Sequence, residues 1–125
     1  MYSVKLSNSP VVTVSSAKHE ISYAIDGSMM NPLETFYATL AACAAVFAKK
    51  ACKDMGCAED GIEIAGKPFA GPDGPYTLRR FKTTVRFPET FAEEQKAKVI
   101  AAIENCAIKL IVEKGAGVDF SIAEA

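Results

Sequence analysis

The chain has 125 residues and a formal net charge of −1; half of it is hydrophobic and 23 % is charged. That is the composition of one soluble domain, residues 1–125, with room for a real core. No basic run is present to neutralise phosphates, which argues against nucleic-acid binding and against an anionic membrane surface.

Met1–Pro10 has neither the basic start nor the apolar segment of a signal peptide. The longest uncharged apolar stretch is about 11 residues, too short to span a bilayer. A cytoplasmic location and no membrane partner are therefore expected.

In chain order, Tyr2–Leu6 alternates weakly and reads as a strand, and Asn8–Pro10 as a turn. Val11–Ser15 is β-branched and strand-like. His19–Ile25 alternates, with Ile21, Tyr23 and Ile25 on one side, before a turn at Asp26-Gly27. Then comes the stretch that dominates the chain, Asn31 to Gly56. Asn31 is a candidate N-cap and Pro32 sits at the first helical position, where a missing N–H costs nothing. Glu34 lies in the first turn and Lys49, Lys50 and Lys53 near the other end, both favourable to the helix dipole; Gly56 is the stop. About 24 residues at 1.5 Å rise give roughly 36 Å. Phe36, Leu40, Cys43 and Phe47 share a face, and Ala38–Ala48 carries no charge, so the middle is expected to be buried on most sides.

Ile62 and Ile64 begin a short strand. Gly66–Pro75 is rich in Gly and Pro and is expected to be a loop with GPDGP at its tip. Tyr76–Phe87 reads as a longer strand in which Thr77, Arg79, Phe81, Thr83, Val85 and Phe87 form the mostly core-facing set. Thr90 with Glu93 fits a capping box for a second helix running to about Glu104. Val99, Ile103, Cys106 and Leu110 keep helical spacing, but Asn105 can equally break the helix and cap a new one at Cys106; periodicity does not decide. Gly115 and Gly117 end the helical part, and Val118–Ile122 reads as a last strand. The pattern is α+β, with antiparallel or mixed sheets packed on a long buried central helix.

Four cysteines, Cys43, Cys52, Cys57 and Cys106, carry whatever chemistry is present. In a reducing compartment they point to catalysis or redox sensing more than to structural staples. Each of Cys43 and Cys106 can be a small buried hydrophobe. If Asn105 caps a helix, the dipole would favour a Cys106 thiolate. The two could then meet in space as a peroxidatic and resolving pair. Cys52 follows Cys43 by nine positions, roughly 180° round the helix, so it does not share a site with Cys43. Cys52 and Cys57 lack the partners of a zinc motif, and no metal site is expected. His19 is the only histidine; it is either a polar strand residue or a proton donor to a thiolate. Glu34 is most simply a dipole partner. One of Arg79 and Arg80 is expected simply to face solvent.

Asn31-Pro32, an apolar helix, and Cys43 eleven residues after the proline resemble the OsmC/Ohr family, the osmotically inducible protein C and organic hydroperoxide resistance proteins. Glu104-Asn105-Cys106-Ala107-Ile108, followed by KLIVEKG, is similar to the family's second-cysteine helix. The resemblance covers about His19 to Ile122. It implies an α+β fold built as an intertwined homodimer, with two sites at the subunit interface. It also implies thiol-dependent reduction of small organic hydroperoxides, a peroxiredoxin-type activity in oxidative stress defence. Cys43 would become the sulfenic acid and Cys106 would resolve it as a disulfide. A dithiol such as a lipoylated protein would then reduce it, with no metal or other cofactor. The family's Glu directly after the proline is replaced here by Leu33, and the acid comes one residue later as Glu34. No Arg precedes Arg79, whereas the family pairs its Glu with an Arg from the N-terminal strands. His19 resembles a histidine of a divergent OsmC-like branch and is a candidate replacement for that cation. The loss of the pair keeps a second class of function open: a redox sensor, a sulfur carrier or a binder of a small apolar ligand. In a third, structural dimer, the cysteines are only core.

Overall fold

The computed structural model describes residues 1–123. They form β1 (Ser3–Val4), β2 (Val11–Ser15), β3 (Glu20–Ala24), α1 (Pro32–Met55), β4 (Glu63–Gly71), β5 (Gly74–Arg86), α2 (Glu93–Glu104) and α3 (Ala107–Lys114). The architecture is α+β, and both sheets are antiparallel rather than mixed. No helix among the described residues is long and apolar enough to cross a membrane. The chain divides into two compact units, Met1–Ala38 and the residues from Thr39 onward.

The first unit is a three-stranded sheet in the order β1-β2-β3. Val14 faces Ile21, and Thr13 faces Ser22 with their hydroxyls 2.8 Å apart, so side-chain pairs as well as the ladder set the register. In the turn after β3, Asp26 accepts hydrogen bonds from the Ser28 N–H and hydroxyl at 3.0 and 2.6 Å. The start of α1 follows its capping chemistry. The Asn31 side-chain oxygen accepts the Glu34 N–H at 2.8 Å, and its backbone carbonyl accepts the Thr35 N–H at 3.0 Å.

In the second unit α1 buries Leu40, Ala44, Ala48, Ala51 and Cys52. Apart from Leu40 these side chains are small, so neighbours approach the helix closely. The remaining surface is not covered as the uncharged sequence implied: within one chain Val46 stays 62 % exposed and Phe36 46 %. An apolar residue finds burial only where another element lies over it, and among the described residues of the second unit none covers Val46.

The hairpin β4–β5 corrects the expected loop. Gly66–Gly71 lies inside β4, and only Pro72-Asp73 turns, with Gly71 paired to Gly74. Gly and Pro are tolerated because this is a two-stranded ribbon, where a missing N–H can point away from the partner. Gly66 is also needed for space: a Cβ there would run into the Phe81 ring, with Ala41 of α1 3.6 Å away. Beyond β5 the core gathers Ala48, Ala51, Cys52, Phe91 and Val99, the last fully buried. The rings of Phe87 and Phe91 pack at 5.4 Å between centroids, tilted by 42°.

Burial of Phe91 delays the second helix. Its N-cap is Ala92, not Thr90, and the Ala92 N–H donates to Gln95 Oε1 at 2.8 Å. The reach-back half of a capping box is thus made by Gln95 instead of Glu93. The helical region breaks after Glu104. Asn105 closes α2 by donating from its backbone N–H to Ala102 O at 3.1 Å and from its side chain to Ala101 O at 3.3 Å. Cys106 is the extended N-cap of α3 rather than a first-turn residue. The last strand is not formed. Residues 115–123 pair with nothing as a strand, and Val118, Phe120 and Ile122 are 75, 92 and 100 % exposed. Alternation prepares a strand, but it forms one only when it pairs with another.

Candidate functional site

Cys43 sits in the middle of α1, one position before the buried Ala44, and is partly exposed. Cys106 reaches it from the break between α2 and α3, where its N–H donates to Ile103 O at 3.0 Å and its carbonyl accepts the Leu110 N–H at 3.2 Å. These bonds fix the backbone of a residue that belongs to neither helix, and its side chain is 3 % exposed. Cys43 and Cys106 are joined as a disulfide, with their Cα atoms 6.2 Å apart. That spacing lies within the range that two cysteines can bridge without moving the backbone. The helix break makes the approach geometrically open: on one uninterrupted helix, residue 106 would be carried on with the α2 axis.

Beside the disulfide is a cleft of about 570 Å³. Leu40 and Ala44 of α1, Phe81 and Val85 of β5, and Ile100 and Ile103 of α2 provide its apolar wall, and Cys106 opens onto it. The volume suits a small organic molecule. Polar groups also line it, among them Arg79, Arg80, Glu104, Lys109 and Glu113. Leu78 pairs with Ala70 and Arg80 with Phe69, so Arg79 falls opposite no residue of β4. A bulge of this kind re-aims side chains near sites. The sequence already placed Arg79 on the parity of Phe81, Thr83 and Val85, which was the signal that it belongs with this wall. Both arginines are exposed, as expected of one of them, and both line the cleft.

His19 and Glu34 belong to the first unit. The His19 N–H donates to Ser16 Oγ at 3.1 Å and its carbonyl accepts the Ser16 N–H at 2.8 Å, a tight turn leading into β3. Glu34 occupies the first turn of α1, where its charge suits the dipole. Cys52 and Cys57 remain reduced, Cys52 in the core and Cys57 half-buried. Burial, with a thiol–thiol hydrogen bond to Cys57, pushes the Cys52 thiol up to about 11.

No protein-family model matches the chain. No curated protein matches it either. Solved structures do. An OsmC like protein from Mycoplasma pneumoniae superposes with a TM-score of 0.71 at 15 % identity, over 90 % of this chain and 86 % of that one. A Psychrobacter arcticus 273-4 protein, described in terms of osmotic stress induction and a detoxification response, gives 0.71 at 14 % identity over 88 and 86 %. A hypothetical protein from Aquifex aeolicus VF5 gives 0.68 at 17 % identity over 91 and 86 %. Likeness across nearly the whole chain at such low identity establishes architecture: the protein has an OsmC-like fold.

Proposed function

We propose that the protein is an OsmC-like thiol-dependent peroxidase that reduces organic hydroperoxides in oxidative stress defence. The observation that carries this is the Cys43–Cys106 disulfide beside an apolar cleft. Cys43, the more exposed of the two, attacks the distal oxygen of the hydroperoxide as a thiolate. The O–O bond breaks, the alkoxide takes a proton and leaves as the alcohol, and Cys43 becomes a sulfenic acid. The Cys106 thiolate then attacks Cys43 Sγ, hydroxide leaves and is protonated to water, and the disulfide closes. Two electrons from an external dithiol, such as a lipoylated protein, return both thiols. The apolar wall takes the alkyl part of the substrate.

The half-buried Cys43 thiolate is favoured by a positive partner. Leu33 replaces the family's Glu, so the family's own pair is not available. Arg79, re-aimed by its place in the hairpin, supplies that charge in this proposal. The protein acts as a homodimer, with a second copy covering the exposed Val46 side of α1.

Consumption of cumene hydroperoxide with dihydrolipoamide as reductant tests the proposal. Turnover that disappears in Cys43→Ser supports it. A folded protein whose thiols stay unmodified under the same peroxide refutes it. The loss of the Glu favours one other reading, a cleft that binds a small apolar ligand without peroxide chemistry. A ligand-induced rise in Tm with no peroxide consumption would mark that case.

A further inference from the structure

The end of α1 holds a second pair of cysteines that the peroxidase proposal does not use. The Gly56 N–H donates to Lys53 O at 3.1 Å, and the Cys57 N–H donates to Cys52 O at 3.0 Å. With Gly56 at φ 69°, in the left-handed region, these two bonds make a Schellman cap. Such a cap brings the side chains at the two ends of its outer hydrogen bond into contact, and an aliphatic pair usually fills the place. Here both are thiols, and Cys57 packs against the buried cluster that contains Cys52. Their accessibilities differ: Cys52 is fully buried against Phe91 and Val99, while Cys57 is partly exposed.

We propose that Cys52 and Cys57 form a second dithiol site, which a low-molecular-weight disulfide oxidises to an intramolecular disulfide that clasps the C-terminal cap of α1. The order of events follows from access. The Cys57 thiolate attacks one sulfur of the small disulfide, forming a mixed disulfide and releasing one thiolate. Cys52, brought next to Cys57 by the cap, loses its proton and attacks that sulfur, expelling the second thiolate. Two protons leave the protein, and two electrons reduce the small disulfide to two thiols. Cys52 cannot start the sequence, because no reagent reaches it. The small capping loop keeps the two sulfurs together, so the second step needs no rearrangement of the helix. This site does not depend on the peroxide chemistry of Cys43 and Cys106.

The test treats the full chain with hydroxyethyl disulfide, quenches in acid, alkylates free thiols and maps tryptic peptides without reduction. Cleavage after Lys53 separates Cys52 from Cys57, so their bond appears as a linked peptide pair. The expected result is that linked pair in monomer-sized chains, free of adduct, lost on reduction, with amide exchange of residues 55–57 slowed several-fold. Cys43→Ser/Cys106→Ser should give the same pair; the wild type decides if that variant does not fold. A stable mercaptoethanol adduct on Cys57, a bond from Cys57 to any other cysteine, or no reaction at either thiol would overturn the proposal.

Discussion

Reduction of the Cys43–Cys106 disulfide should lower the stability of the protein by about 4 kcal/mol. The two residues are 63 apart in sequence, and the closed loop contains the end of α1, the whole β4–β5 hairpin and α2. A loop of that length removes about 14 cal/mol/K of chain entropy from the unfolded ensemble, about 4 kcal/mol at 25 °C. Unfolding in urea has a slope of about 2 kcal/mol/M for a chain of this size, so the midpoint should fall by about 2 M when the bond is reduced. Far-UV circular dichroism against urea, with and without a phosphine reductant, measures the shift. Cys43→Ser/Cys106→Ser should match the reduced wild type and ignore the reductant. A wild-type midpoint that moves by less than about 0.2 M would refute the entropic account. The functional consequence is direct: the oxidised end of the proposed cycle is held more tightly than the reduced end, and the reductant must act on the more stable form.

Three further outcomes follow from the second unit. Gly66→Ala should cost about 1–3 kcal/mol, because the new methyl displaces the Phe81 ring; a chemical-denaturation midpoint equal to that of wild type would contradict the packing described. Arg79→Gln should slow oxidation of Cys43 by cumene hydroperoxide about tenfold, the effect of shifting the thiol by one pKa unit. Arg86→Gln, at an exposed ion pair with Glu63 (3.3 Å), should not; equal rates for wild type and Arg79→Gln, read by quenched mass spectrometry, would remove Arg79 from the site. Alkaline stability should depend on Cys52. Its thiol titrates near 9.0 when unfolded and about 11 when folded, so both states are protonated below 9. Between 9 and 11 the folded state holds a proton the unfolded state has lost, and stability falls as pH rises, by about 2–3 kcal/mol in all. In reducing buffer, the difference in stability between wild type and Cys52→Ala should shift by that amount over this range; a constant difference would show the thiol is not buried as described.

Local chemistry was legible wherever a few adjacent residues carry the signal. Asn31-Pro32 and Gly56 bound α1, and β2 occupies the β-branched run Val11–Ser15. At Asn105 the sequence left a break or a continuous helix open, and the structure breaks there. Those features depend on caps, φ preferences and side-chain shape within one turn or one strand, all written in the adjacent residues. The resemblance brought Cys43 and Cys106 into one expectation, and the fold places them in one disulfide.

Tertiary structure decided what depends on a partner far along the chain. Gly66–Gly71 became strand because β5 runs beside it, overriding a composition that reads as loop. Thr90 lost the cap to Ala92 because Phe91 is drawn into a core made largely by α1. Val118–Ile122 stays outside both sheets among the described residues despite a clean alternation. Propensity states what a segment can do at a cost of tenths of a kcal/mol per residue, while burial and ladder hydrogen bonds act at about 1 kcal/mol or more each, so the long-range partner wins.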